Sequence, residues 1–545
     1  MAGVMWLGRG QWGLLGGRCG WPVAGRDGRP AAGDAVWAGL QAETVGVRDR
    51  AQAAGGEGTS SGPMGRVGLA CAAGSEGTRS EPAGRVGHAG ATDNEGSRWE
   101  PEGRIGHACG AGSAGKRWEP AGWIANAGAA DAARLTADER LRRLRRAGIP
   151  TAPPGGEGAG TGAMRDAPIL RFRIAVLGLE AVEVRSPGPE RFGIRRALDA
   201  AHPLYRLLER TAVKAAYALG AELALVEAAT DGACAWVQDA RPADPAAMTG
   251  RELELWSGAL ARAAAGYAAA AEAAAGPLLL GADPEFVLLR EDGRIASAAR
   301  YFPLRGEAGC DTVRIGGRLR RPLAELRPAP AAGPAELLAR LRGLLRRADR
   351  TAAPGLRWLA GAMPVPGLPL GGHVHLSGAP VTVRLLRALD SVAALPFALA
   401  ADPRGDRRRP RYGALGDFRR QAHGGFEYRT LPSWLVSPTA AAGALSLALL
   451  AAREAYRGLP PVLPAEREAA VEAFYAGDRT ALRGMLDEIC GMIAATASYA
   501  ELSRWIDPFL EAVRSGRTWD ETADIRGKWR IGAGSARRRA SMPRG

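Results

Sequence analysis

Between Ile169 and Leu177 apolar and polar positions alternate. Leu170, Phe172, Ile174 and Val176 fall on one side and Arg171 and Arg173 on the other, which predicts a half-buried strand. The period then lengthens: Leu204, Leu207, Leu208 and Ala212 make one stripe of a helix over 204–219, closed by Gly220. Apolar runs at 223–227 and 233–237 predict two further strands, and the alanine-rich stretch 251–275 a long helix. These elements define a first α/β unit, residues 164–277, in which no reactive side chains cluster.

From 278 the same two periods continue. Leu337, Leu338, Leu341, Leu344 and Leu345 form a helical stripe after Pro334, and 385–399 is a second helix enclosing Asp390. Residues 439–452 make an apolar helix too short to span a bilayer. A second unit covers 278–460; 461–545 reads as a helical segment ending in a basic tail from Arg537. Ahead of both units, residues 1–163 have too few apolar positions to stack a core and are expected to be disordered. A 19-residue repeat runs through them, marked by Pro63, Pro82, Pro101 and Pro120. Within this region 135–147 predicts a short arginine-rich helix, followed by a Pro/Gly linker at 149–162, and Met164 stands as an alternative start.

Four short strands of the second unit put charge where a core would be. In Gly371–Gly378, His373 and His375 share a face, with Val374 and Leu376 opposite. Asp283 and Glu285 share a face in GADPEF, Glu325 and Arg327 in LAELRP, and Glu427 and Arg429 in FEYRT. Singly, these are a turn or solvated strand faces. Together, within 281–430, they pave one sheet surface with acids, imidazoles and guanidiniums. Such burial is costly unless a cation and an anionic ligand compensate it. Three carboxylates this close repel without a cation, so Glu427→Gln is expected to relieve strain in the metal-free protein. Arg411 and Arg419 lie on a glycine-punctuated loop just before the Glu427 strand.

The net charge of +15 permits acidic partners, but the arginines are spread along the chain without a basic stripe interleaved with aromatics, so no specific nucleic-acid contact is expected. The six cysteines show neither CxxC pairs nor framework spacing. Met1–Leu15 is too interrupted by glycine and arginine for a signal peptide, and no apolar run reaches membrane length. A reduced, cytoplasmic protein is expected. No GxxxxGK[ST] is present, which argues against a P-loop.

GADPEF, PLAELRPAP, GGHVHLSG and HGGFEYRTLPSWLVSP, in this order, resemble the amidoligases of the carboxylate–amine ligase type 2 family, in the glutamine synthetase and glutamate–cysteine ligase superfamily. The resemblance is close over 278–455, looser over 168–277 and absent over 1–130. It implies an α+β fold with a glutamine synthetase-like curved antiparallel sheet and flanking helices. It also implies ATP with magnesium or manganese, an acyl phosphate, and small-molecule or peptide carboxylate and amine substrates. Asp283, Glu285, Glu325, His373 and Glu427 would be metal ligands, with Glu285 the stronger of the first pair. His375 would contact phosphate, Arg429 would hold phosphate or the substrate carboxylate, and Glu285, Glu427 and Arg429 would serve the chemistry; Arg411 and Arg419, from their place on the loop, are expected as further phosphate contacts. Two other readings stay open: a zinc-type hydrolase built on His373 and His375, and a non-catalytic nucleotide-binding protein of the same fold.

Overall fold

The computed structural model describes residues 132–152, 169–187, 197–244, 247–273, 277–315, 318–460 and 462–532, together with three short strands nearer the N-terminus. Most of the repeat region, Met164 and the tail from Arg537 lie outside the described residues. The short strands β1 (Val4–Trp6), β2 (Val36–Ala38) and β3 (Trp123–Ile124) pair in the order β2–β1–β3.

Helix α1 (Ala137–Arg146) starts in a capping box, in which Thr136 and Glu139 satisfy each other's backbone N–H groups. It buries Leu144, and Ile149 follows it into the same core. Arg140 pairs with Asp239 at 2.9 Å, and the Val237 N–H donates to Pro150 O at 2.8 Å. The boundary expected at 164 is therefore corrected: folded chain runs from 132 to 152, because this apolar stripe finds a surface to cover.

That surface belongs to β4 (Leu170–Leu177), β5 (Glu180–Arg185), α2 (Pro203–Leu219), β6 (Leu223–Thr230) and β7 (Ala235–Pro242), with α3 (Gly250–Ala273) behind. The strands form an antiparallel sheet in the order β5–β4–β6–β7. Phe172, Ile174, Val176 and Val226 pack under α1 and α2, while Trp256 and Leu260 of α3 cover Ala175, Leu223 and Leu225 on the other face.

The larger unit comprises β8 (Leu279–Leu289), β9 (Ile295–Ala296), β10 (Ala308–Ile315), β11 (Arg318–Leu326), α4 (Pro334–Thr351), β12 (Arg357–Leu359), β13 (Gly372–Ser377) and α5 (Val383–Leu389). A π-helical turn, Asp390–Ala394, joins α5 to α6 (Leu395–Ala400). After β14 (Phe418–Arg420) and β15 (Phe426–Tyr428) the chain is helical: α7 (Pro438–Glu454), α8 (Glu468–Ala476), α9 (Arg479–Gly484), α10 (Leu486–Ala494), α11 (Tyr499–Arg514) and α12 (Ile525–Trp529).

The sheet runs β10–β11–β8–β13–β15–β14, entirely antiparallel, and curls as a half-barrel with flanking helices, an α+β fold. Phe286, Val374, Leu376, Phe426 and Tyr428 are buried in its helical core. The C-terminal helices share this core: Phe509 of α11 stacks on Phe397 at 4.4 Å between centroids. No described helix is long and apolar enough to cross a membrane.

Candidate metal and phosphate site

Strand register decides which charged side chains meet. Across the sheet, Glu325 of β11 stands opposite Glu285 of β8, Asp283 of β8 opposite His373 of β13, and His375 of β13 opposite Glu427 of β15. Arg419 of β14 stands opposite Glu427 in turn. The four charged strands thus contribute to one row, and Asp283, Glu285, Glu325, His373 and Glu427 are all buried.

Two glycines make the close approach possible. A Cβ on Gly371 would lie 2.2 Å from His373 Nε2, and one on Gly372 would lie 2.3 Å from Pro432 O, so both positions exclude a side chain. Neither needs glycine for its backbone angles; the requirement is space.

His373 Nδ1 lies 3.1 Å from Asp283 Oδ1 and 3.1 Å from Glu427 Oε1. Asp283, His373 and Glu427 each offer a ligand atom, and these lie within 4.8 Å of one another. Oxygen ligands with one imidazole suit magnesium or manganese, so the donor set fits the ion that the resemblance implies. Asp283, rather than Glu285, is the first-strand acid in this triad. Glu285 turns to accept the Gly371 N–H at 2.6 Å, and Glu325 pairs with Arg327. His375 Nε2 is 3.2 Å from Asp283 Oδ2 but out of hydrogen-bond alignment, a buried imidazole nitrogen without a protein partner of good geometry.

Electrostatics divides the acids. Burial alone would raise the Asp283 pKa, but the His373 hydrogen bond and the closeness of both imidazoles outweigh it and hold the carboxyl well below the usual range. Against its own burial, His373 is held above its ordinary value by Asp283. Glu285 is pushed up by burial, in spite of His373 and the Gly371 N–H. Burial, reinforced by Asp283, raises Glu325 to about 9 even with Arg327 beside it.

Glu427 is the most enclosed of the set. Arg419 and Arg429 both pair with it, and Gln421 Nε2 donates to it at 3.0 Å. This corrects the expectation of bare repulsion at Glu427, since the acid already has three cationic or donor partners. Arg411 is exposed, its guanidinium carbon 5.6 Å from the centroid of the Tyr412 ring, and it forms no ion pair among the described residues; the structure does not bring it into the row.

Sequence reasoning missed Gln421 and Arg408. Buried Arg408 donates to Thr430 O at 2.9 Å and Leu431 O at 3.1 Å, bracing the segment after β15, and burial lowers its pKa to about 10. Nothing in the run of arginines 404, 407, 408 and 409 marks it out from its neighbours.

Residues 280–531 match the family described as phage phiEco32-like COOH.NH2 ligase-type 2. No curated protein matches the sequence. Among solved structures, a bifunctional glutathione synthetase from Pasteurella multocida is similar at 10% identity over 48% of this chain and 49% of that one, with a TM-score of 0.30. The ligase PafA in complex with the prokaryotic ubiquitin-like protein Pup is similar at 13% identity over 45% of this chain and 66% of that one, TM-score 0.34. A glutamine synthase homolog follows at 17% identity over 42% of this chain and 70% of that one, TM-score 0.20. The chain spans about half the length of the glutathione synthetase. Superposition at these scores is too loose to transfer residues or substrates.

Proposed function

Since residues 280–531 match the phiEco32-like COOH.NH2 ligase-type 2 family, we propose that this protein joins a carboxylate to an amine using ATP. A carboxylate oxygen of the acid attacks the γ-phosphorus of ATP, and ADP leaves. The amine nitrogen then attacks the carbonyl carbon of the acyl phosphate, phosphate leaves, the nitrogen gives up a proton, and an amide or isopeptide bond remains.

The observation that carries this reading is the buried convergence of Asp283, His373 and Glu427, with Arg419 and Arg429 paired to the same Glu427. These three, with Glu285 and Glu325 beside them, would hold magnesium or manganese, which when bound neutralises and orients phosphate charge. Arg419 and Arg429 offer planar guanidiniums that match phosphoryl oxygens two at a time, and Arg429 can equally take the substrate carboxylate. His375 presents its Nε2 as a further phosphate contact. Positioning and charge neutralisation are the main demands of phosphoryl transfer, and this row supplies both. In this reading the enzyme works in the cytoplasm, where ATP and magnesium are available.

The test is ADP and phosphate release from the purified protein over a panel of amino acids and short peptides, with and without magnesium. Release should require the metal, an acid and an amine together, and a heavy-oxygen label in the carboxylate should appear in the phosphate. Metal-dependent hydrolysis without ATP would favour the zinc-type hydrolase instead. ATP binding with no release across the panel would mark a non-catalytic protein.

A further inference from the structure

Tyr217 sits near the end of α2, in the unit that precedes the family-matched segment, yet its ring is buried in the core of the larger unit. Its hydroxyl donates to Asp390 Oδ2 at 2.7 Å. Asp390 opens the π-helical turn, and its other oxygen accepts the Tyr428 hydroxyl at 2.6 Å and the Gly416 N–H at 3.1 Å. One buried carboxylate thus ties three segments together: α2, the strand carrying Glu427, and the loop that leads to Arg419.

The same loop is held from α2 in other ways. A Cβ on Gly416 would lie 2.2 Å from the Tyr217 ring, so the loop backbone rests directly on it. Lys214 Nζ, one turn earlier on α2, is 3.1 Å from Asp417 Oδ1, and Asp417 O accepts the Arg429 N–H at 2.9 Å. Arg420 reaches Glu180, at the start of β5, at 3.0 Å. The Arg387 guanidinium lies 3.8 Å from the centre of the Tyr217 ring, and its charge favours the ionised form of Asp390 against the burial that opposes it.

Tyr428 lies between Glu427 and Arg429 on a strand, so the face it occupies fixes the opposite face for both. Fixing Phe418 opposite Tyr428 likewise fixes Arg419 opposite Glu427. We propose that Tyr217 is a positioning residue for the site: through Asp390 and Gly416 it sets the loop and strand that aim Glu427, Arg419 and Arg429. The kinetic part of this inference rests on the ligase reading; the structural part does not.

Tyr217→Phe keeps the ring and removes the donor. The control is Tyr205→Phe, which also removes a tyrosine hydroxyl from α2, one that donates to Ala181 O at 3.0 Å. Hydrogen exchange of amides 413–421 should accelerate ~10-fold in Tyr217→Phe and not in the control, the size expected for one lost bond to a buried charge. Mn2+ affinity of the nucleotide-free protein should fall with it. In the active enzyme kcat should fall ~10-fold, while the control keeps both kcat and the KM for ATP. Equal exchange in the two variants would overturn the proposal, and so would faster exchange with unchanged Mn2+ affinity and kcat. If the wild type consumes no ATP, the ligase reading falls, and exchange and Mn2+ affinity still decide the role of Tyr217.

Discussion

Glu285 and Glu325 stand directly opposite each other on adjacent antiparallel strands, both buried. Like charges in that position destabilise a sheet. Burial first, then Asp283, and to a lesser degree Glu285 make Glu325 hold on to a proton in the metal-free protein, its pKa raised to about 9. A group whose folded pKa lies above its unfolded one favours the folded state at low pH, and that contribution is lost as pH rises from the unfolded value toward the folded one. Thermal stability without metal should therefore fall between pH 5 and pH 9, roughly the interval between the usual glutamate pKa and the raised one. Glu325→Gln should flatten this slope. The depressed Asp283 acts below its ordinary range and leaves this window untouched. A melting series across pH on both proteins measures it, and equal slopes would refute the assignment.

Metal uptake shares this linkage. A proton on Glu325 or His373 competes with a cation, so Mn2+ affinity should rise with pH through the neutral range. Isothermal titration in two buffers of different ionisation heat would show proton release on binding.

Glu427→Gln should abolish ATP consumption, by ~100-fold or more, since it removes a proposed ligand. The partners in the structure also reverse the expected sign of its effect on stability. Removing the charge leaves Arg419, Arg429 and His373 facing a neutral amide, so the metal-free variant should lose about 1–3 kcal/mol, less than a fully buried pair because both arginines are partly solvated. Chemical denaturation distinguishes this from the gain expected of relieved repulsion.

Nucleotide affinity should drop ~10-fold or more in Arg419→Ala and Arg429→Ala. Arg411→Ala, beside exposed Tyr412, should match Arg347→Ala, whose guanidinium pairs with Glu307 at 2.5 Å on a solvated helix face. If Arg411→Ala falls with the first pair, the loop reaches further over the nucleotide than its present position implies.

A chain beginning at Met164 lacks α1. It should melt below one beginning near residue 129, because Leu144 is fully buried and burial of one leucine contributes about 1.5–3 kcal/mol. Equal melting temperatures would show that α1 is dispensable.

Much of the site was legible because strand faces are local information. The two-residue period alone placed Asp283 beside Glu285 and Glu427 beside Arg429. Register is not local. Nothing within β8 says that Asp283, and not Glu285, lies across from His373; that follows from how β13 docks. Asp390 was visible only as a polar residue inside a helical stretch, because its two tyrosine partners lie 173 and 38 residues away. Helix α1 is legible as amphipathic, but a helix rich in arginine gives no sign that Leu144 is the residue it buries.

Helix α1 also reaches the C-terminal helices, where Arg143 and Arg146 both pair with Glu468 of α8. The two sides of that contact are separated by 322 residues along the chain. On the ribosome, α1 emerges long before its second partner exists, at the usual pace of ~5–20 residues per second. The smaller sheet can assemble early and wait with one flank of α1 uncovered. Only when α8 has left the exit tunnel can α1 complete its contacts, so a segment made late closes over one made early.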